Sequence, residues 1–514
     1  MRKEPSGLTK VKLKTTLLPI LSTSPVDQQI YVLQKLLRKA EFTAFGKYYG
    51  FEEILRSADP VQAFQSQVPI FDYSAMLKEW WYRLLEQEAN VTWPEKVKYF
   101  ALSSGTTDAA SKYIPVTKAS IKSNQRIMRR VFFNLTRYGL PLSHYSKSIM
   151  ILGGSTQLQD LGGIFAGDLS GINLTQYPFW IQNSYKPGLE ISRIGDWQEK
   201  LRVIVQKAAE WPNIGSITGI PAWNQLLLEQ IIDHYKVDTI HDVWPELSLF
   251  VHGGVSFEPY RKSFEKLCAK PLTYIDTYLA SEGFIAYQYW PDRTDMKLVT
   301  DVATFFEFVP FNDDHFDAEG HLKPGARALS LSEVEAGTDY ALLMSNCAGV
   351  WRYLIGDTIR FTNVEQCELQ ITGRTKHFLS ICGEHLSVDN MVHAVKAAAD
   401  DLNVDVREFT VGGIPHQNLF AHQWYIGCDQ PVDETVFRER LDYHLKRLND
   451  DYRTERTSAL QMFVQIIPTA MFYNWQEKTG KFGGQHKFPR VMKAAGFRDW
   501  EAFVQSTMER NNKV

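Results

Sequence analysis

Three short stretches of this 514-residue chain combine residue types and spacings suited to chemistry. The first, Ser103-Ser-Gly-Thr-Thr-Asp-Ala-Ala-Ser-Lys112, follows an apolar run and precedes Tyr113-Ile-Pro-Val-Thr. Its hydroxyls, backbone amides and lysine suit a polyphosphate. It is not a Walker A loop, because G-x-x-x-x-G-K-[ST] is absent and Lys112 stands seven residues after Gly105. An ordinary Ser/Thr-rich turn is the alternative. The second, Tyr278-Leu-Ala-Ser-Glu-Gly283, sets the Glu282 carboxylate at a strand-to-loop junction. A hard-oxygen ligand there suits the Mg²⁺ that accompanies ATP, the alternative being a surface or helix-start carboxylate. The third, Trp351-Arg-Tyr-Leu-Ile-Gly-Asp357, ends a β-type run on an acidic residue able to accept hydrogen bonds from both ribose hydroxyls. Gly-Asp turns are also a common structural device.

The elements that must position these stretches are read from periodicity. Ile30, Leu33, Leu36, Leu37 and Ala40 recur at helical spacing and predict a helix over 28–45, with another near 76–85. After Pro94, short β-type runs end in small residues: 99–102 before Ser103, 148–152 before Gly153-Gly154, and 247–251 before Gly253-Gly254. Strands that stop at small residues and feed helices define an α/β body, whose ligands bind beyond the strands' carboxyl ends. Around Thr372-Gly-Arg-Thr-Lys-His377 the texture turns polar, and a hinge is expected over 373–379. The chain from 380 onward reads as a smaller α+β unit. It has a helix near 388–399, strands near 409–411 and 424–427, a helix carrying Phe437, Leu441, Leu445 and Leu448, and a strand over 461–467.

Composition narrows the function. A chain 44% hydrophobic and 13% aromatic at this length implies two or more domains. Lys plus Arg number 56 against 59 Asp plus Glu, and a net charge of −3 creates no field that would gather nucleic acid or an anionic membrane. Small-molecule partners fit better. Five scattered cysteines without a CxxC pair predict reduced thiols in a cytoplasmic protein rather than zinc or disulfides. The basic N-terminus has only a short apolar stretch, 17–21, broken by Pro19, and no run approaches the ~20 apolar residues of a membrane span. The histidines show no close ligand spacing.

Together and in order, the three stretches resemble the signature motifs of the adenylate-forming superfamily. More closely, Ser103-Ser-Gly-Thr-Thr with Lys112-Tyr-Ile-Pro, Ala280-Ser-Glu and Trp351-Arg-Tyr-Leu-Ile-Gly-Asp resemble the auxin-responsive Gretchen Hagen family of acyl acid amido synthetases, including its bacterial members. Gly373-Arg-Thr-Lys-His-Phe and Gly484-Gln-His-Lys-Phe-Pro-Arg490 extend the likeness, which runs from about residue 28 onward. It departs at Asp108-Ala-Ala110, where most adenylating enzymes place a second glycine.

The resemblance implies a large N-terminal α/β adenylating domain over 1–372, binding ATP and an acyl acid, and a smaller mobile C-terminal α+β cap over 380–514. It implies that Ser103, Ser104, Gly105, Thr106 and Thr107 line the phosphate path, with Lys112 stabilising charge there. Ser281 and Glu282 would neighbour the α-phosphate and Mg²⁺, with Glu282 the metal carboxylate. Asp357 would hold the ribose, Gly253 and Gly254 would lie against adenine, and Arg374 would stand at the pivot with Lys376. Lys487 would reach the site from the cap, a solvated lysine being the alternative. Gly162-Gly-Ile-Phe-Ala-Gly167 reads as a turn near the acyl pocket, and Tyr177, Phe179, Trp180 and Trp223 as its wall or as core. The implied reaction activates a carboxylic acid with ATP and passes the acyl group to an amine, an amino acid among the candidates. A coenzyme A ligase and a catalytically silent nucleotide-binding relative are the alternatives.

Overall fold

Val32, Leu33, Leu36, Leu37 and Ala40 line the buried face of helix Pro25–Ala40, whose first turn Ser24 caps by accepting from the Asp27 amide. The computed structural model describes residues 24–103, 112–176, 184–254, 257–317, 320–375, 378–379, 386–416, 419–449, 452, 456, 460–480, 488–492 and 494–511. The helix expected over 28–45 is two helices, because Thr43 caps a second one, Ala44–Tyr48, by accepting from the Gly46 amide. The helical stretch near 76–85 runs through a π-helical segment, Leu77–Trp81, that buries both Trp80 and Trp81. Among the described residues no helix is long and apolar enough to cross a membrane.

Among the described residues, eleven strands form the principal sheet. One half is parallel, with Tyr185–Lys186, Ser148–Leu152, Ile214–Gly219, Leu249–Gly253 and Thr273–Ala280 side by side. The other half is antiparallel: Gly283–Gln288, Met296–Leu298, Glu368–Arg374, Val350–Asn363, Asp339–Asn346 and Thr304–Pro310. Alternate residues of each parallel strand face opposite layers. Phe250 packs among the helices Trp197–Lys207, Pro221–Tyr235 and Arg261–Leu267, while Leu249 and Val251 face Leu135 and Phe132. The N-terminal helices cover the antiparallel half, where Phe45 stacks on Trp351 (5.8 Å) and Trp81 on Tyr353 (5.5 Å). Trp223, expected as acyl-pocket wall or as core, is buried: it meets Trp197 edge-on and lies 6.3 Å from Tyr473.

A smaller sheet holds strands Tyr99–Ser103 and Lys112–Val116 in antiparallel register, with Ser103 opposite Lys112. The first hydroxyl-rich stretch therefore joins two paired strands rather than a strand and a helix. The C-terminal part centres on Glu408–His416, Leu419–Gly427 and Leu460–Ile467. Helices Val388–Asp401 and Glu434–Leu448 bury one face of that sheet, and Ala470–Lys478 with Ala494–Asn511 the other.

This unit docks on the large one through polar contacts. The Tyr260 hydroxyl donates to Glu408 Oε1 at 3.0 Å, and Arg490 pairs with Glu408 Oε2 at 2.6 Å. Lys262–Asp400, Lys396–Glu258 and Arg407–Glu229 ion pairs surround that buried trio.

Candidate functional site

The carboxyl ends of the parallel strands converge where the sheet changes from parallel to antiparallel. At Leu249–Gly253 the chain ends on Gly253, where a Cβ would come within 2.4 Å of the Thr277 carbonyl oxygen, and continues through Gly254 at φ +84°. Only glycine permits both that approach and that backbone. The next strand ends at Ala280, pairs back through Gly283, and leaves Ser281 and Glu282 in the two-residue turn. The Asn346 side-chain amide donates to the Glu282 carbonyl at 2.8 Å and ties this turn to strand Asp339–Asn346.

Asp357 reaches the same place by a bulge. Leu354 and Thr358 lie opposite Leu343 and Ala341, so the Asp357 strand carries extra residues between these pairs, and Gly356 takes φ +87°. Bulges of this kind re-aim a side chain. The Tyr278 hydroxyl donates to Asp357 Oδ2 at 2.7 Å, and Arg374 forms an ion pair with Oδ1, its Nε 3.0 Å away. Arg374 also donates to the Ile355 carbonyl, so it is an element of this cluster and its strand is part of the large sheet. The Thr375 amide is likewise bonded to the Gly356 carbonyl at 2.8 Å. Residues 373–375, the first of the expected hinge, are thus bonded to the large sheet.

The electrostatics tie four separated segments together. Burial pushes the Glu282 carboxyl above its ordinary range, Asp357 adds to the rise, and Lys112 and Arg374 oppose it. Burial, then the Asp357 charge, likewise raises the Tyr278 hydroxyl well above its usual value. Asp357 chiefly, then Glu282, hold the Arg374 guanidinium more firmly protonated. Lys112 places Nζ 5.6 Å from the centre of the Tyr73 ring, and the Tyr73 hydroxyl accepts from the Tyr113 amide at 2.9 Å.

The structure thus brings Lys112, Glu282, Asp357 and Arg374 together, with Ser281 in the turn, Gly253 against Thr277 and Gly254 next in the chain. Ser103 enters by its backbone pairing with Lys112. Ser104, Gly105, Thr106, Thr107, Lys376, Lys487, Tyr177, Phe179 and Trp180 lie outside the described residues. Periodicity and motif reading did not single out Tyr278, Asn346 or Tyr353, although the two tyrosines lie within the quoted stretches.

A doubly covered sheet with its polar cluster at the strand ends, and a small α+β unit docked beside it, is the architecture of the adenylate-forming enzymes. The structure matches a GH3.15 acyl acid amido synthetase over 98% of this chain and 97% of that one, with a TM-score of 0.77 at 16% identity. It matches a 2-hydroxyisobutyryl-CoA ligase over 94% and 92%, with a TM-score of 0.57 at 11% identity. At these identities the likeness concerns the fold.

Among sequence relatives, jasmonoyl–L-amino acid synthetase JAR4 of Nicotiana attenuata is 23% identical over 76% of each chain. JAR6 of the same plant is 30% identical over 35% of this chain and only 32% of its own length. The GH3 family N-terminal domain matches residues 20–209, its central domain 297–374 and its C-terminal domain 389–495. The chain belongs to the GH3 family.

Proposed function

We propose that this chain is an acyl acid amido synthetase: it activates a small carboxylic acid as an acyl-adenylate with ATP and transfers the acyl group to an amine, an amino acid being the favoured class. The observation that carries the reading is the convergence of Lys112, Glu282, Asp357 and Arg374 from four separate segments at one end of the sheet. Relatives named as amino acid synthetases support the amine acceptor.

A carboxylate is a poor acyl donor because it is anionic and its oxygen leaves badly. Attack of one carboxylate oxygen on the α-phosphorus of ATP forms the acyl–phosphate bond and breaks the bond to pyrophosphate. Lys112 and Arg374 stabilise the charge that builds on the phosphate oxygens. Asp357, held by Tyr278 and Arg374, retains acceptor capacity for ribose hydroxyls. The amine then attacks the acyl carbonyl, the amide bond forms, and AMP leaves with the bonding electron pair.

Glu282 fits a divalent cation, since it is a desolvated carboxylate beside a phosphate-binding locus and burial disfavours its charge until a cation compensates it. Among the described residues no group of three or more metal-ligating side chains forms. Mg²⁺ at Glu282 would then take its other ligands from phosphate and water, its usual manner, and supply Lewis-acid neutralisation of phosphate charge. Ser103, Ser104, Gly105, Thr106 and Thr107 are proposed to line the phosphates, and Gly253 and Gly254 to lie against adenine. The unit from 380 onward is proposed to be the mobile cap, bringing Lys487 to the phosphates when it closes.

The test is acid-dependent exchange of pyrophosphate into ATP over a panel of aryl and alkyl acids, with products then sought from amino acids and from coenzyme A. Amide formation supports the reading, and thioester formation alone would replace it with a ligase for coenzyme A. ATP binding with no exchange for any acid would make the protein a silent relative.

A further inference from the structure

The chain has 59 Asp plus Glu against 56 Lys plus Arg, yet no acidic residue stands between Asp108 and Asp160. Helix Lys118–Asn134 lies in that interval, and Ile127 and Val131 of its buried face pack on Phe284 and Tyr287 of the large sheet. Its outer face is basic. Lys118, Lys122, Arg126 and Arg129 are exposed and recur at steps of four, four and three, so they form one stripe along the helix. Phe133, four residues further on, continues that stripe and is 69% exposed. At 1.5 Å per residue these five positions span about 22 Å. Among the described residues none of the four cations forms an ion pair. The carboxylates beside the helix are bonded by other donors: Arg130 holds both oxygens of Asp301, and the Lys118 backbone amide donates to Glu95. A second apolar group stands at the helix exit. Leu142 is 84% exposed on the short helix Leu142–Ser146, and Tyr145 of that helix packs edge-on against Phe132, next to Phe133.

We propose that this face is a docking surface for a membrane rich in anionic lipid, with Lys118, Lys122, Arg126 and Arg129 over the headgroups and Phe133 and Leu142 in the interface. The whole-chain charge of −3 averages the stripe away. A surface in contact responds to charges within a Debye length, about 8 Å at physiological salt, and there the cations are uncompensated. The two protruding apolar side chains favour a bilayer over other polyanions. A bilayer admits them without a shaped pocket, whereas the phosphates of a duplex or the carboxylates of an acidic protein would leave both against charge. No described helix is long and apolar enough to cross the bilayer, so this attachment is peripheral and weakens with salt.

The test sediments the full-length chain with vesicles of phosphatidylcholine alone and of phosphatidylcholine mixed with phosphatidylglycerol. The expected result is retention on the mixed vesicles, little on phosphatidylcholine, and release at high salt. Lys122→Gln with Arg126→Gln should weaken retention roughly thirtyfold, the effect of two lipid-facing cations. Phe133→Ser with Leu142→Ser should weaken it roughly tenfold or more by removing the apolar contact. All four residues are exposed and none belongs to the Glu282–Asp357 cluster, so melting temperature and ATP affinity should match wild type. Failure of the wild-type chain to sediment with the mixed vesicles, equal retention on both vesicle types, or wild-type retention of the Lys122→Gln, Arg126→Gln variant would overturn the assignment. So would tighter binding to duplex DNA or to polyglutamate than to the mixed vesicles, which would make the partner a nucleic acid or an acidic protein.

Discussion

The Tyr278 hydroxyl and the Asp357 carboxylate are bonded at 2.7 Å across the parallel-to-antiparallel junction, with Arg374 on the other carboxylate oxygen. The carboxylate is therefore oriented before any ligand arrives. Asp357→Asn keeps the shape and removes the charge, and should weaken ATP binding by about 1.5–3 kcal/mol. The loss should be smaller for 2′,3′-dideoxy-ATP. Calorimetric titration of both nucleotides checks this, and equal losses would make Asp357 a structural partner of Arg374 only.

Glu282 sets a pH dependence. Its folded carboxyl is raised above the ordinary 4.5, chiefly by burial, so it takes up a proton earlier than a free glutamate as pH falls. A neutral carboxyl holds Mg²⁺ poorly, so affinity for ATP with Mg²⁺ should drop on acidification from above the usual glutamate range. Linkage for the free protein has the opposite sign: between the two pKa values the folded chain keeps a proton the unfolded chain has lost, so this group favours folding as pH falls. Titrations of ATP with Mg²⁺ at several pH values, on wild type and Glu282→Gln, test the metal role. Persistence of the same acid-side loss in Glu282→Gln would assign it to another group.

Arg352 belongs to the quoted Trp351–Asp357 stretch yet serves the fold. It is buried, takes φ +38°, pairs with Glu307 at 3.0 Å, and donates to the Gln65 and Val68 carbonyls, tying the N-terminal helices to the sheet. Arg352→Ala strands the Glu307 charge in the core and should cost about 3–5 kcal/mol. Denaturant unfolding measures it. A loss under about 1 kcal/mol would mean that water reaches the pair.

Several pieces of this architecture are legible in the chain because they are local. Helical spacing in 28–45 and 434–448 marks buried faces, and the tail strands expected at 409–411 and 424–427 lie inside the observed Glu408–His416 and Leu419–Gly427. The expected run at 247–251 is displaced to Leu249–Gly253, since the Gly-Gly turn pins the end and not the start. The features that escape sequence reading depend on pairing. Tyr278 meets Asp357 only because a bulge at Gly356 re-aims the aspartate, and a bulge is a mismatch between two strands that neither strand carries alone. Asp339–Asn346, buried along almost its whole length, lacks the alternation that separates strand from core helix. The textural change near Thr372 marks polarity, whereas the Thr375 amide bond to Gly356 keeps the chain on the large sheet slightly longer.

The last prediction concerns the docking of the C-terminal unit. Glu408 is buried and accepts from both Tyr260 of the large unit and Arg490 of its own. Around it, Lys262–Asp400, Lys396–Glu258 and Arg407–Glu229 are partly exposed pairs, individually worth little and screened by salt. The central trio should therefore dominate this arrangement, while added salt loosens only its rim. Glu408→Gln leaves the Arg490 guanidinium buried without its counter-charge, a cost the molecule relieves by undocking. Small-angle scattering should show an expanded particle for Glu408→Gln at low salt, and Tyr260→Phe, which removes one hydrogen bond, should shift it less. ATP affinity should stay within about twofold of wild type, because Lys112, Glu282, Asp357 and Arg374 all lie on the large unit. The half-reaction that needs this docked arrangement should slow by about tenfold, the effect of roughly 1.4 kcal/mol on its barrier. Rapid-quench measurement of acyl-adenylate formation and of amide release identifies which one. Unchanged scattering with both half-reactions at wild-type rates would show that the trio does not hold the two units together.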